Sequence, residues 1–235
     1  GAFLFGIIAH KTHFCTMGAI SDWINMGSLV RLRAWLLAMA VALLMSQLLQ
    51  AIGWIDLSAS IYLSTNFGIG GHIVGGFLFG VGMTLGGGCG QRTLVRAGGG
   101  NLKSLVVLLV LGLTAYITLR GLLAGVRIEV FEPLSIDLSE YGLVDQSLTG
   151  VVAAVSGLTP ETVTKGLAVI IGLALLIYTL KDKDFRTSGD GIASGLVVGL
   201  LVASAWYVTG VVGNDDFDPV RLETLTFITP VGNML

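Results

Sequence analysis

Charge is scarce in this chain: only 12% of its 235 residues are Asp, Glu, Lys or Arg, about half the share usual in a soluble domain. That scarcity excludes an ordinary water-facing fold. Basic runs are also missing, and a net charge of −2 gives no footing for a nucleic-acid surface. Two cysteines, Cys15 and Cys89, are too few for a disulfide scaffold and leave the redox compartment open. The one glycine-rich loop, GGGCG, lacks both the Gly-Lys-Ser/Thr ending of a Walker loop and the GxGxxG spacing of a Rossmann turn. No Asp or Glu stands inside an apolar run clear of its ends, so a proton relay has no obvious residues. The chain opens on Gly1 rather than Met, no signal peptide is read in it, and N-terminal residues and a C-terminal part are expected to lie outside it.

What is abundant is apolar surface. Hydrophobic residues make up 54% of the chain and the mean hydropathy is +0.86, values of a membrane protein. Residues 1–9 supply about half of the roughly 20 apolar residues a bilayer crossing needs. Full spans are expected at about 34–54, 105–126, 162–180 and 191–209, with a Gly-rich apolar run at about 70–88. In that run Gly71 and Gly75, and Gly76 and Gly80, repeat at the four-residue spacing that suits close helix packing. The stretch 127–161 carries Glu129, Glu132, Asp137, Glu140, Asp145 and Glu161 and reads as an extramembrane loop with a short helix, and KDKDFR at 181–186 as a tight turn. The fold class is therefore all-α, a polytopic integral membrane protein with re-entrant or broken half-helices beside full transmembrane helices.

Charge placement sets an orientation. Arg31, Arg33, Arg92, Arg96, Lys103, Lys181, Lys183 and Arg186 fall on one side if each span crosses once, which makes that side cytoplasmic. Arg120 and Arg127 are exceptions near the outer end of their helix, placed to snorkel or face a cavity. Trp23, Trp35, Trp54 and Trp206 belong to packing or the interfacial belt.

GAFLFGI at 1–7 matches GGFLFGV at 75–81, and nine positions separate Gly6 from Cys15 as they separate Gly80 from Cys89. The cysteines are thus equivalent positions in a pseudo-repeat: repeat A at about 1–56, repeat B at about 70–128, then the loop at about 129–161 and further helices at 162–211, all within one transport domain. Paired interrupted hydrophobic segments point to a transporter's substrate site. Backbone that leaves the helix at membrane depth is tolerated only against protein or a polar cavity. A helix restarting after each cysteine presents free N–H groups and partial positive charge, which suit an anion.

The candidate substrate residues are Cys15, Cys89, Gly87, Gly88, Gly90, Gln91, Arg92, His13 and Thr16. A lone buried cysteine is by default a compact hydrophobe; two at equivalent breaks favour a shared task. A helix N-terminus and Arg92 depress a thiol pKa while apolar walls raise it, so thiol and thiolate both stay open. A thiolate could attack the anion's sulfur; a neutral S–H could donate a hydrogen bond to it. Lys11 and His13 add positive potential or are simply solvated, Arg92 and Arg96 guide the substrate or are simply positive-inside anchors, and Gln91 and Asn101 read more readily as local turn or cap residues. His10, His13 and Cys15 form HxxHxC, but only distant Cys89 or His72 could complete a tetrahedral set, so no metal site and no cofactor are expected.

These residues carry a resemblance. GFLFGVGMTLGGGCGQRTLVRAGGGNLKSLVV, FLFGIIAHKTHFCTMGAISDW and the closing LETLTFITP resemble the YeeE/YedE sulfur transport family over most of the chain. The resemblance implies uptake of thiosulfate or a related sulfur anion across a bacterial or archaeal inner membrane, by cysteines that relay the anion through S–H···S hydrogen bonds at helices broken near the midplane. Cys15 and Cys89 match two family cysteines; the third has no counterpart here. It also implies a TusA-like soluble sulfur-carrier protein as cytoplasmic partner, surrounding lipid, and no enzymatic reaction. Rival readings are a membrane thiol enzyme carrying persulfide or cycling a disulfide, a selenium-compound or metal transporter, and a structural membrane partner.

Overall fold

Apolar runs bounded by glycine and polar residues set the helices. In the computed structural model, which describes residues 1–60, 62–141, 143, 145–157, 159–213 and 222–227, the described chain is almost wholly helical. Five stretches are long and apolar enough to cross a membrane: Val30–Ala51, Ile69–Gly98 with an interruption at 86–89, Leu102–Arg120, Pro160–Leu180 and Gly189–Val212. At 1.5 Å per residue, 22 residues reach about 33 Å, enough for a hydrocarbon core of about 30 Å. The protein is a multi-pass, all-α membrane protein.

The chain divides into two compact units, residues 1–63 with 147–225, and a second centred on 64–146. The first holds α1 (Ala2–Lys11), α2 (Thr16–Met26), α3 (Val30–Ala51), and, from the second half of the chain, α8 (Leu148–Ser156), α9 (Pro160–Leu180), α10 (Lys183–Thr187) and α11 (Gly189–Tyr207). Its centre is the α3–α11 contact. Gly195 and Gly199 of α11 lie against the α3 backbone: a Cβ at Gly195 would sit 2.9 Å from the Ala34 carbonyl oxygen, and one at Gly199 2.8 Å from that of Ala38. Without lipid-phase hydrophobic driving force, such close backbone approach is what gives helix pairs their dispersion contact. On the other flank Gly172 of α9 receives Leu44, whose Cδ2 would lie 2.6 Å from an added Cβ.

The small-residue spacing at Gly71, Gly75, Gly76 and Gly80 makes no such contact: among the described residues nothing lies within 4 Å of a Cβ built at any of them. The KDKDFR segment is also more than a turn. Asp182 caps α10 by accepting from the Phe185 N–H at 2.9 Å, and Phe185 is fully buried, a placement that stabilises by about 1.5–3 kcal/mol. Arg33 reaches the same corner, its Nη1 2.8 Å from Asp182 Oδ1 and its guanidinium 5.7 Å from the Tyr178 ring centre. At the far end of α3, Trp54 packs on Tyr207 at 5.4 Å between ring centres, and Tyr62 meets Trp206 edge-on. α11 continues as a π-helical turn over Val208–Val212, whose Thr209 hydroxyl donates to the Glu223 carbonyl at 2.9 Å. In the LETLTFITP motif Thr224 likewise donates its hydroxyl to the Val202 carbonyl at 3.3 Å; 228–230 lie outside the described residues.

The second unit holds α4 (Ile69–Leu85), α5 (Gly90–Gly98), α6 (Leu102–Arg120) and α7 (Leu122–Phe131). The span expected at 105–126 is interrupted: α6 stops at Arg120 and Gly121 adopts φ −101°, ψ −155° before α7 begins. A Cβ there would lie 2.9 Å from Ile117 Cα and 3.0 Å from its carbonyl oxygen, so only glycine fits. The region expected to be a loop contains the end of α7, a two-residue antiparallel ladder pairing Asn66 with Asp137 and Phe67 with Ile136, and α8. Asp56 and Asp137 each accept from a serine two residues on, by hydroxyl and then by backbone N–H, and these bonds hold both carboxyls below the ordinary range.

Candidate functional site

Each cysteine stands at the restart of a broken helix, and the two breaks share one geometry. α1 ends at Lys11 and α4 at Leu85. The next residue, Thr12 or Gly86, keeps right-handed torsions and donates its N–H one turn back, to Ile8 or Gly82, at 2.9 Å in both. The second residue turns left-handed: His13 has φ 54° and Gly87 φ 68°. After one more residue the cysteine is extended, and it is the N-cap of the following helix. Its carbonyl accepts the first ladder bond, from Ala19 at 2.9 Å or Thr93 at 3.0 Å. The amides of the intervening first turn have no carbonyl one turn back in their own helix, and neither cysteine side chain caps them.

Both thiols are buried, Cys15 at 6% and Cys89 at 7% exposure. The residues that follow them on the inner side, Ala19 and Thr93, are buried as well, and the Thr93 hydroxyl closes onto the Cys89 carbonyl at 3.1 Å. Of the residues singled out from sequence, His13, Cys15 and Thr16 line the first break; Gly87, Gly88, Cys89, Gly90, Gln91 and Arg92 line the second. The two sets lie in different units. Gly88 has its own reason to be glycine, because a Cβ there would press on Arg92 Cγ at 3.1 Å. His10, His13 and Cys15 form no metal-holding cluster among the described residues, and His72 is engaged elsewhere, stacked on Phe67 with Nδ1 2.6 Å from the Gly68 carbonyl oxygen. Asn101 is a cap, accepting from the Ser104 N–H at 3.1 Å.

Arg96, read from sequence as a substrate guide or an anchor, makes a contact at its break, and so do two residues not singled out, Asp22 and Arg31. Arg96 donates from Nη1 to the Gly87 carbonyl at 3.0 Å, across the left-handed turn. In the first unit Asp22, buried on α2, accepts from both Nε and Nη2 of Arg31 at the start of α3. Charge patterning assigns Arg31 to the anchoring set, and no local spacing links Asp22 to a partner nine residues away on another helix.

The left-handed positions make a paired prediction. Gly87→Ala adds a Cβ to a left-handed backbone and should cost about 1–2 kcal/mol. His13→Gly relieves that same cost at the equivalent position while adding unfolded-state freedom worth about 0.4–1 kcal/mol, so it should be near neutral. Thermal unfolding in detergent, comparing each variant with the unaltered protein, reads both; equal losses at the two positions would contradict the shared geometry.

Two helix breaks, each with a buried cysteine at the N-cap of the following helix, stand in a multi-pass membrane protein, and the sequence assigns that protein to a transport class. The chain belongs to the sulphur transport family, whose sequence profile matches residues 11–235. It is similar to the thiosulfate transporter TsuA of Spirochaeta thermophila, 29% identical over 207 residues that cover 84% of this chain and 59% of that protein's length. The chain thus spans less than two thirds of this relative.

Proposed function

We propose that this protein takes up thiosulfate, or a closely related sulfur anion, across a bacterial or archaeal inner membrane, and that Cys15 and Cys89 bind the anion at the two breaks. The observation that carries the proposal is the repeated geometry: a left-handed turn, an extended buried cysteine, and a short helix restarting with its positive end at the thiol. A neutral S–H donates to the anion's terminal sulfur, a contact weak enough to release it again. Burial of both thiols keeps most water from the step, and the first-turn amides offset the anion's charge. The family description and the relative's name both concern transport, and neither names a chemical reaction. The basic loops face the cytoplasm in this reading and are the landing place for a TusA-like sulfur carrier.

The test is growth. Cells without sulfur-anion uptake of their own, given thiosulfate as the only sulfur source, should grow when the protein is expressed; absence of growth with the protein present in the membrane would sink the proposal. Labelled thiosulfate uptake competed by sulfate and selenate then ranks the anions the breaks accept.

A further inference from the structure

Arg31 does more than anchor α3. We propose that Arg31 is a substrate-positioning residue of the Cys15 break, its guanidinium fixed by Asp22 and set across Gly18 so that Nη1 faces the turn of α2 that follows the thiol. The inference rests on the transport reading above.

The geometry begins with Gly18. It lies inside α2 with ordinary right-handed torsions, where glycine costs about 0.5–1 kcal/mol relative to alanine and no backbone requirement repays it. What it provides is room. Arg31 Nη1 is 2.5 Å from the position a Gly18 Cβ would take, and Cys15 Cβ is 3.6 Å from the same point. The guanidinium and the cysteine therefore abut one turn of α2. Asp22, itself 7% exposed, engages Nε and Nη2 together, which uses one edge of the planar fork and fixes its plane. The Nη1 edge is turned toward the turn that carries Cys15. The Arg31 side chain keeps 36% of its surface open, so the pair is not sealed away.

A plain fastening of α2 to α3 would need neither the glycine nor the fork, since a lysine reaches a carboxylate as a point charge. The second break has a parallel. Arg96 stands as far beyond Cys89 as Asp22 stands beyond Cys15, and it reaches the break directly through the Gly87 carbonyl. At both breaks the residue at that position fixes a guanidinium against the short helix, in one by being the arginine and in the other by holding it. Asp22 also tempers the charge. A bare guanidinium in an apolar setting would hold a dianion too tightly for passage, whereas transport requires a site the ion can leave.

Labelled-thiosulfate uptake by cells expressing the protein tests this, with amounts in the membrane matched by immunoblot. Arg31→Gln should raise the half-saturating thiosulfate concentration by about tenfold or more, the loss of one hydrogen bond to a charged group, with a smaller change in maximal rate. Gly18→Ala, which displaces the guanidinium, should move the same parameter in the same direction. The exchange of Asp22→Arg with Arg31→Asp should restore thermal stability in detergent but not the half-saturating concentration, because the fork then projects from α2. If Arg31→Gln fails to accumulate, Arg31→Lys should fold and show an intermediate rise. An unchanged half-saturating concentration in Arg31→Gln or Arg31→Lys, or full recovery in the exchanged pair, overturns the inference while leaving the transport reading intact. No uptake by the unaltered protein overturns both.

Discussion

Replacing Cys89 by alanine should lower thiosulfate uptake by about ten- to hundredfold, the equivalent of losing one hydrogen bond to a charged group in a water-poor site, worth about 1.5–3 kcal/mol. The backbone should be unaffected. Cys89 is an N-cap whose thiol makes no capping bond, so the short helix α5 loses nothing from its first turn. Thr93 still donates its hydroxyl to the carbonyl at position 89, and Arg96 still holds the Gly87 carbonyl. Cys89→Ser keeps a donor at the same place and should fall between alanine and the native residue. That ordering separates hydrogen bonding from covalent sulfur transfer, in which serine would be as inert as alanine. Uptake rates measured at matched expression decide it, and a Cys89→Ala protein that transports at the native rate would remove the cysteine from the mechanism.

The largest stability effect should come from two glycines on α11. In Gly195→Ala the new methyl meets the Ala34 carbonyl oxygen at 2.9 Å, and in Gly199→Ala that of Ala38 at 2.8 Å and Val41 Cβ at 2.7 Å. Neither obstacle is the free end of a flexible side chain, so α3 and α11 must separate. Each substitution should cost about 1–3 kcal/mol as overpacking, and the double variant should lose most of the folded protein at a temperature the native chain survives. Gly76→Ala and Gly80→Ala form the control, with the same spacing and open space around both. They should be neutral, or gain up to about 1 kcal/mol each from helix propensity. Size-exclusion profiles after heating in detergent compare the two pairs directly.

That contrast shows where sequence reasoning ran out. Hydropathy located the spans at Val30–Ala51, Pro160–Leu180 and Gly189–Val212 to within a few residues, because a lipid-facing helix is apolar on all sides and length alone identifies it. The breaks at Cys15 and Cys89 were legible for a different reason: the FLFG repeat fixes their equivalence, and the glycine run before Cys89 announces a departure from helix. Helix pairing was not legible. The chain has 34 glycines, and a four-residue spacing recurs on α4 and α11 alike, while only contact with a partner backbone tells which face is used. The stop at Gly121 was hidden in the same way, inside an apolar run that differs from its surroundings only in torsion angles. Asp22 and Arg31 escaped notice because an ion pair between two helices leaves no periodic trace, and a charge rule that counts arginines does not ask what each one touches.

Arg33 bears on how the molecule is made. In the finished fold its guanidinium is held by Asp182 and lies over Tyr178, residues of the chain's second half. At a synthesis rate of about 5–20 residues per second, those partners arrive roughly 7–30 s after Arg33 itself. During that interval Arg33 is without these partners, which is the condition under which positive charge steers insertion. Only when α9 and α10 emerge is the charge covered. Asp182→Asn should therefore loosen the clasp in the finished fold while leaving the charge available to the nascent segment unchanged.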